Sequence, residues 1–185
     1  MTNALHLTME QLDAGLSVLP KGPRHRGTVE MIVRRPETGE RQVLEQADLV
    51  VGGGLVGDNY LTRENPKAPD GKAHPEAQLN LMNSRTIDLI AAGDRRLWQL
   101  AGDQFFVDFD LSLENAPPGT RLGIGEAVIE VSHKPHNGCN KFSERFGIDA
   151  ARWVNVAKHE RRRGINAMVV RAGVVRRGDA IEKLG

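Results

Sequence analysis

From Phe105 to Leu113 an apolar residue recurs at every second position. Phe105, Val107, Phe109, Leu111 and Leu113 fall on one side, with Asp108, Asp110 and Ser112 on the other. An extended chain has a side-chain period of two, so this stretch predicts a strand with one face in a core. Shorter segments repeat the signature. Gly27–Arg34 is rich in β-branched residues, Pro36–Glu40 supplies a turn, and Gln42–Val51 reads as the return strand of a hairpin. Gln78–Met82 alternates polar and apolar residues, and Arg121–Ile124 pairs naturally with Ala127–Val131 around Gly125-Glu126. Ile165–Arg171 and Asp179–Lys183 read as the last strands, joined by a segment at 172–178.

Helices interrupt this series. Thr8-Met9-Glu10-Gln11 has the form of a capping box, with Leu12, Leu16 and Leu19 following on a short helix that ends before Pro20. Ser84 is placed to cap a helix carrying Ile87, Leu89 and Ile90, a short helix spans Arg95–Ala101, and Asp149 is placed to cap one through Trp153, Val154 and Val156. Short strands with turn signals between three or four helices predict a mainly β (α+β) fold, a β-barrel decorated with helices. At 185 residues the expectation is one domain over residues 1–185, with its core from about residue 27 and an N-terminal helix over about 8–19.

Composition bounds the function. A net charge of +1 gives no broad attraction to nucleic acid or an anionic membrane, and 4% aromatic residues offer no stacking platform for single-stranded nucleic acid. No apolar run approaches the roughly 20 residues that span a bilayer. The segment Met1–His6 lacks the basic and apolar regions of a signal peptide, and one free thiol suits a reducing compartment, so the expectation is a cytoplasmic protein. The stretch Arg63–Lys72, with Pro66, Pro69 and Gly71, reads as a surface loop.

The glycine-rich run Gly52–Gly57 lacks the Gly-Lys-Ser/Thr ending and the following helix of a phosphate loop. It reads as a tight connection whose glycines supply positive φ; small residues there also let Asp58 and backbone amides approach a ligand. The single cysteine, Cys139, follows a Pro and Gly turn and precedes an amphipathic run, Asn140–Phe146, ending at Gly147. That puts the sulfur at a helix N-terminus, where free N–H groups and the dipole stabilise a thiolate, with His136 and Lys141 near in sequence. An unpaired thiol is either reactive or a small core hydrophobe, and local sequence leaves both open.

The order of motifs resembles the MOSC domain family, named for the C-terminal domain of molybdenum cofactor sulfurase. The blocks are Gly54–Asp58, Gln78–Leu81, Pro117–Ala127, Gly138–Phe142, Arg163–Ala167 and Gly173–Asp179. Two positions depart from the family pattern: Tyr60 stands where many members have His two residues after the Gly-Asp pair, and Gly102-Asp103-Gln104-Phe105 replaces a Gly-Glu-Asn-Leu block. The resemblance implies a MOSC-like β-barrel in a stand-alone protein. It also implies that Cys139 either ligates the metal of a molybdenum cofactor (molybdopterin) or carries its sulfur as a persulfide. Gly57, Asp58, His136, Asn137, Gly138 and Lys141 are then the cofactor-contact candidates. Molybdenum binds soft sulfur ligands, and the cofactor's phosphate calls for cations and backbone N–H groups. The implied chemistry is sulfur transfer or reduction of small N-oxygenated compounds, with a small-molecule substrate and a sulfur donor or redox partner protein.

Three other readings are weaker. His133, His136 and Cys139 lack the fourth ligand of a structural zinc site. A Cys-His hydrolase needs a third, orienting group, and none stands out in the sequence. The basic run Lys158–Arg163 reads as a solvated helix end. A non-catalytic binding module with a packed cysteine is the alternative to the cofactor reading.

Overall fold

The computed structural model describes residues 5–64 and 70–185, so the expected loop at 63–72 lies partly outside the described residues. Helix α1 (Met9–Val18) starts at the predicted capping box: Thr8 accepts from Gln11 N, and the Gln11 side chain accepts from Thr8 N. Strand β1 (Arg26–Arg34) follows and pairs with β2 (Gln42–Leu44) as the expected hairpin. The return strand then breaks at Glu45. β3 (Gln46–Val50) leaves the first sheet and turns through Gly52 and Gly54, both at positive φ, into β4 (Gly54–Leu55).

Strand β5 (Leu79–Asn83) leads into α2 (Ser84–Ile90), a 3-10 helix at Arg95–Ala101, and β6 (Phe105–Asp108). Next come β7 (Arg121–Ile124), β8 (Ala127–Val131), α3 (Asn140–Phe146) and α4 (Ile148–Val156). The chain closes with β9 (Ile165–Arg171), β10 (Gly173–Arg176) and β11 (Ala180–Lys183).

Seven strands form a closed barrel in the order β11-β7-β8-β9-β5-β6-β1, with β1 pairing back onto β11. All neighbours are antiparallel except β5 and β6. A parallel pair needs a crossover, which α2 and the 3-10 helix supply. The small sheet β10-β3-β4 adds Ala47, Leu49, Leu55 and Val175 to the barrel's core.

Two apolar layers hold the fold. The barrel interior contains Val29, Ile32, Leu81, Phe105, Val107, Ile129, Ile165 and Ile181. A second layer packs helix residues Leu12, Ile87, Trp98, Phe142, Phe146 and Trp153 against the outer faces of Met31, Val33, Met82 and Phe106. Strands β1, β5 and β6 are therefore covered on both sides. That corrects the half-buried reading of two segments. Leu79–Met82 are all buried, and Phe105, Phe106 and Val107 are all buried. The ladder of β6 also ends at Asp108; Phe109 and Leu111 continue into the interior without it, and Leu113 is exposed.

Two caps differ from expectation. Asn83, one residue before Ser84, accepts from Arg85 N and Thr86 N at the start of α2. Gly147, at φ +91°, and not Asp149, starts α4, and no side chain caps it. Gly147 also ends α3, so this one residue serves both as the C-cap of α3 and as the N-cap of α4.

Candidate functional site

At one end of the barrel, the residues just past β1, just before β6 and just before β9 converge on a buried polar network. Its centre is Asp58, in the turn after β4. The guanidinium of Arg35 donates to it twice, Nη2 to Oδ1 at 2.8 Å and Nε to Oδ2 at 2.9 Å, in the bidentate geometry carboxylates favour. Backbone N–H groups of Arg35 and Tyr60 and the amide of Gln104 complete the shell at 3.0, 3.1 and 3.4 Å. The third guanidinium nitrogen, Nη1 of Arg35, donates to Asn80 Oδ1 and to Gly102 O. Asn80 donates onward to Asn166 Oδ1 at 2.6 Å, and Asn166 donates to the carbonyls of Lys134 and Pro135. Through Asn80 on β5 and Asn166 on β9, the network ties the carbonyls of Lys134 and Pro135 in the loop 132–139 to the barrel.

A second buried pair sits beside it. Arg163, 5% exposed, donates from Nη1 to Asp103 Oδ2 at 2.6 Å and from Nη2 to Ala101 O at 2.9 Å, and lies over the Phe142 ring. The other Asp103 oxygen faces His136 Nδ1 at 3.5 Å. Burial raises the Asp103 carboxyl above its usual value, against the pull of Arg163. Burial pushes the His136 imidazole well below its ordinary value, and the cations of Arg163 and Arg35 push it further. Both charges are thus opposed, and a neutral imidazole holding its proton on Nδ1 toward Asp103 suits both groups.

In front of these pairs lies a cleft of about 170 Å³. Its rim carries Cys139, exposed, at the N-cap of α3, where its carbonyl accepts from Phe142 N and Ser143 N. Exposure removes the reading of Cys139 as a packed core residue. The cleft is lined by Arg35, Arg41, Arg63, Lys141, Arg145 and Arg163, with Glu37 the one lining carboxylate among the described residues. Arg41 and Arg145 are held by carbonyls at the C-terminal end of the 3-10 helix, Gln99 O at 3.2 Å and Leu100 O at 2.7 Å. Their charges are therefore not neutralised by carboxylates. Burial first, and then Arg145 and Arg35, lower Arg41 to about 10, which leaves it protonated at neutral pH. A pocket of this sign attracts anions.

Of the residues singled out in sequence, Cys139, His136, Asn137 and Lys141 line the cleft together. Gly57, Asp58 and Gly138 do not. Gly57, at φ +78°, lies against the side chain of Arg34, and Asp58 is wholly covered by Arg35. The Gly138 N–H is taken by Asn155 Oδ1 at 2.9 Å and is not free for a ligand, which corrects the expectation for that amide. Tyr60 is buried, donating its hydroxyl to His74 O, and Gln104 accepts from Asn80 N, so both positions that depart from the family pattern act inside the wall.

Sequence reasoning missed Arg35, Arg41, Arg63, Asp103, Arg145 and Arg163. The run Lys158–Arg163 follows α4 and is not its last turn, and Arg163 is buried, not solvated. Asp103 stands where a third, orienting group would stand for His136; it is 33 positions away in sequence, since 136 − 103 = 33, and nothing local marks it. Four buried polar atoms here lack a partner among the described residues: Asn59 Oδ1, Asp103 Oδ1, His136 Nδ1 and Arg163 Nε. No group of three His, Cys, Asp or Glu is placed to hold a metal among the described residues. A metal at Cys139 would have to arrive with ligands of its own.

His136 gives a testable pH effect. The folded protein binds its proton less readily than the unfolded chain, so stability falls as pH drops below about 6.5. Asp103, raised by burial, contributes a slope of the opposite sign above the ordinary carboxylate value. His136→Gln should flatten the curve of unfolding free energy from about pH 7 to about pH 5.5. Parallel curves for the two proteins would assign the slope elsewhere.

The profile of the MOSC domain family matches residues 70–182, more than half of the chain. No curated protein matches. The YuaD protein from Bacillus subtilis is similar in structure, with a TM-score of 0.61 at 18% identity over 85% of this chain and 95% of that one. YiiM from Escherichia coli gives 0.56 at 20% identity over 85% of this chain and 70% of that one. YiiM from Geobacillus stearothermophilus gives 0.52 at 12% identity over 90% and 76%. At these identities the likeness concerns the fold.

Proposed function

From the premise that this chain belongs to the MOSC domain family, we propose that its cationic cleft binds a molybdenum cofactor, or the sulfur destined for it, through Cys139. The observation that carries the reading is the exposed thiol of Cys139 on the rim of a cleft whose other charged groups are nearly all cations. The chemistry of the donor set fits such a group. A pterin dithiolene brings its own sulfur ligands, so one protein thiolate suffices, and it carries a phosphate that Arg41, Arg63, Lys141 or Arg145 would hold. The pterin edge offers amide donors and acceptors, and Asn59 Oδ1 and Arg163 Nε are an acceptor and a donor without a partner among the described residues.

When bound, the group supplies a metal that exchanges oxygen and electrons with small N-oxygenated compounds. The chain's own residues do the rest. Cys139 presents its sulfur at the start of α3, on the rim of the cleft. Lys141, two residues on, adds positive charge to the same cleft. His136, kept neutral beside Asp103, leaves Nε2 as the atom able to accept or return a proton. In the sulfur-carrying mode, the Cys139 thiolate attacks the terminal sulfur of a donor persulfide. It becomes the persulfide itself and releases the donor's thiolate.

Protein expressed in a molybdenum-replete host should contain molybdenum or cyanide-releasable sulfur, and Cys139→Ala should reduce that content by at least about tenfold. Equal molybdenum in the two proteins would remove Cys139 as the ligand. Equal cyanide-releasable sulfur would remove it as the carrier.

A further inference from the structure

On the far side of the segment 133–137 from the cysteine cleft lies a second cavity of about 200 Å³; His136 and Asn137 form the wall common to both. Its lining includes Ser132, Lys134, Asn155, Lys158, Arg161 and Asn166, with no Asp or Glu among the described residues. We propose that this cavity is a separate binding site for a tetrahedral oxyanion, inorganic phosphate or the phosphoryl group of a small ester.

Three observations carry it. The first is charge without compensation. Lys134, Lys158 and Arg161 make no ion pair among the described residues, although most arginines of this chain do. Arg161 also borders a larger cleft containing Asp110, Glu114 and Glu160, but those carboxylates face Arg24, Arg24 and Arg162.

The second is the backbone. Arg161 has φ +49°, the left-handed region that a non-glycine side chain occupies at a cost. Its side chain is half-buried, with one donor on Ala116 O at 2.5 Å. Burial lowers its pKa with nothing opposing it. A strained, partly desolvated and unpaired cation is costly, and an anion in the cavity would offset that cost.

The third is Ser132. It is 3% exposed, it lines the cavity, and its hydroxyl has no partner among the described residues. A hydroxyl can donate to an oxyanion by rotating about one bond. The neighbouring amides of Asn155 and Asn166 are occupied by Gly138, Ala151, Asn80, Lys134 and Pro135. They hold the cavity open and do not compete for the ligand.

The test is a titration of the full chain with phosphate against chloride at matched ionic strength, followed by amide NMR shifts. Wild type should show saturable shifts at residues 132–134 and 158–161. Lys158→Gln removes an exposed cation without touching the core and should weaken those shifts roughly tenfold, the loss of one charge-assisted contact. Ser132→Ala should weaken them several-fold, and Lys141→Gln, in the cysteine cleft, should leave them unchanged. Shifts confined to the cleft around Cys139, or equal affinity in Lys158→Gln and wild type, would overturn the proposal. A parallel titration with glycerol phosphate separates the sources: tighter binding assigns the site to an ester, weaker binding to the free ion. Loss of molybdenum in Cys139→Ala bears on the cleft alone and leaves this site's titration untouched.

Discussion

Asp58→Ala should cost about 3–5 kcal/mol of folding free energy, the usual result of removing one partner of a buried ion pair. The loss does not come from the attraction alone. Arg35 is 5% exposed and its carboxylate partner fully covered, so the variant would leave a guanidinium in the interior with two of its three nitrogens unmatched. Two backbone N–H groups, of Arg35 and Tyr60, would lose their acceptor as well. Against a total stability of about 5–15 kcal/mol for a domain of this size, the variant would be marginal. Denaturant unfolding of wild type, Asp58→Ala and Arg35→Met/Asp58→Ala reads the effect. The double variant should recover part of the loss, because it removes the stranded charge. A single variant as stable as wild type would mean that Asp58 and Arg35 are not an interior pair in solution.

Gly164→Ala should be comparably damaging, about 4 kcal/mol or more, for a steric reason. Gly164 sits at φ +96°, and an added Cβ would lie 1.9 Å from Leu81 O, a backbone atom of the paired strand that cannot swing aside. Gly119 provides the control. It has φ +86° with nothing within 4 Å of an added Cβ, so Gly119→Ala should show only the conformational cost, roughly 1–2 kcal/mol. The difference between the two variants in unfolding midpoint measures the contact. Because Gly164 follows Arg163, a displaced β9 would also pull Arg163 from Asp103, and any metal or sulfur content should fall together with stability. Equal midpoints for the two variants would argue that β5 and β9 are not so closely apposed.

What the sequence conveys follows from the range over which each signal acts. The capping box at Thr8, the hairpin at Gly125-Glu126 and the helix after Cys139 are all set by residues within a few positions of one another, and the structure has them. Strand faces were legible only where one side is solvent. Phe105–Val107 is covered by the barrel on one side and by helices on the other, so its alternation described half of its environment. The thiol's position at a helix start was readable for the same local reason. The cations around it were not. Arg35, Arg63 and Arg163 come from three remote segments, and in one dimension a buried arginine is indistinguishable from a solvated one. The order of blocks along the chain carried information that their individual spacing lacked, which is why the family was apparent when most of the cleft was not.

The pairing of β1 with β11 has a consequence for how the chain reaches this state. The Arg26–Glu182 bond that accompanies it spans 156 positions, whereas β7 and β8 are joined by a two-residue turn. Sealing the barrel is thus the contact with the greatest loop-closure entropy, and high contact order slows folding. While the chain is being synthesised, β1 keeps an open edge toward the missing strand until the last segment arrives. That edge, with N–H and C=O groups unpaired from Arg26 to Val29, is where a partly folded copy would recruit another copy.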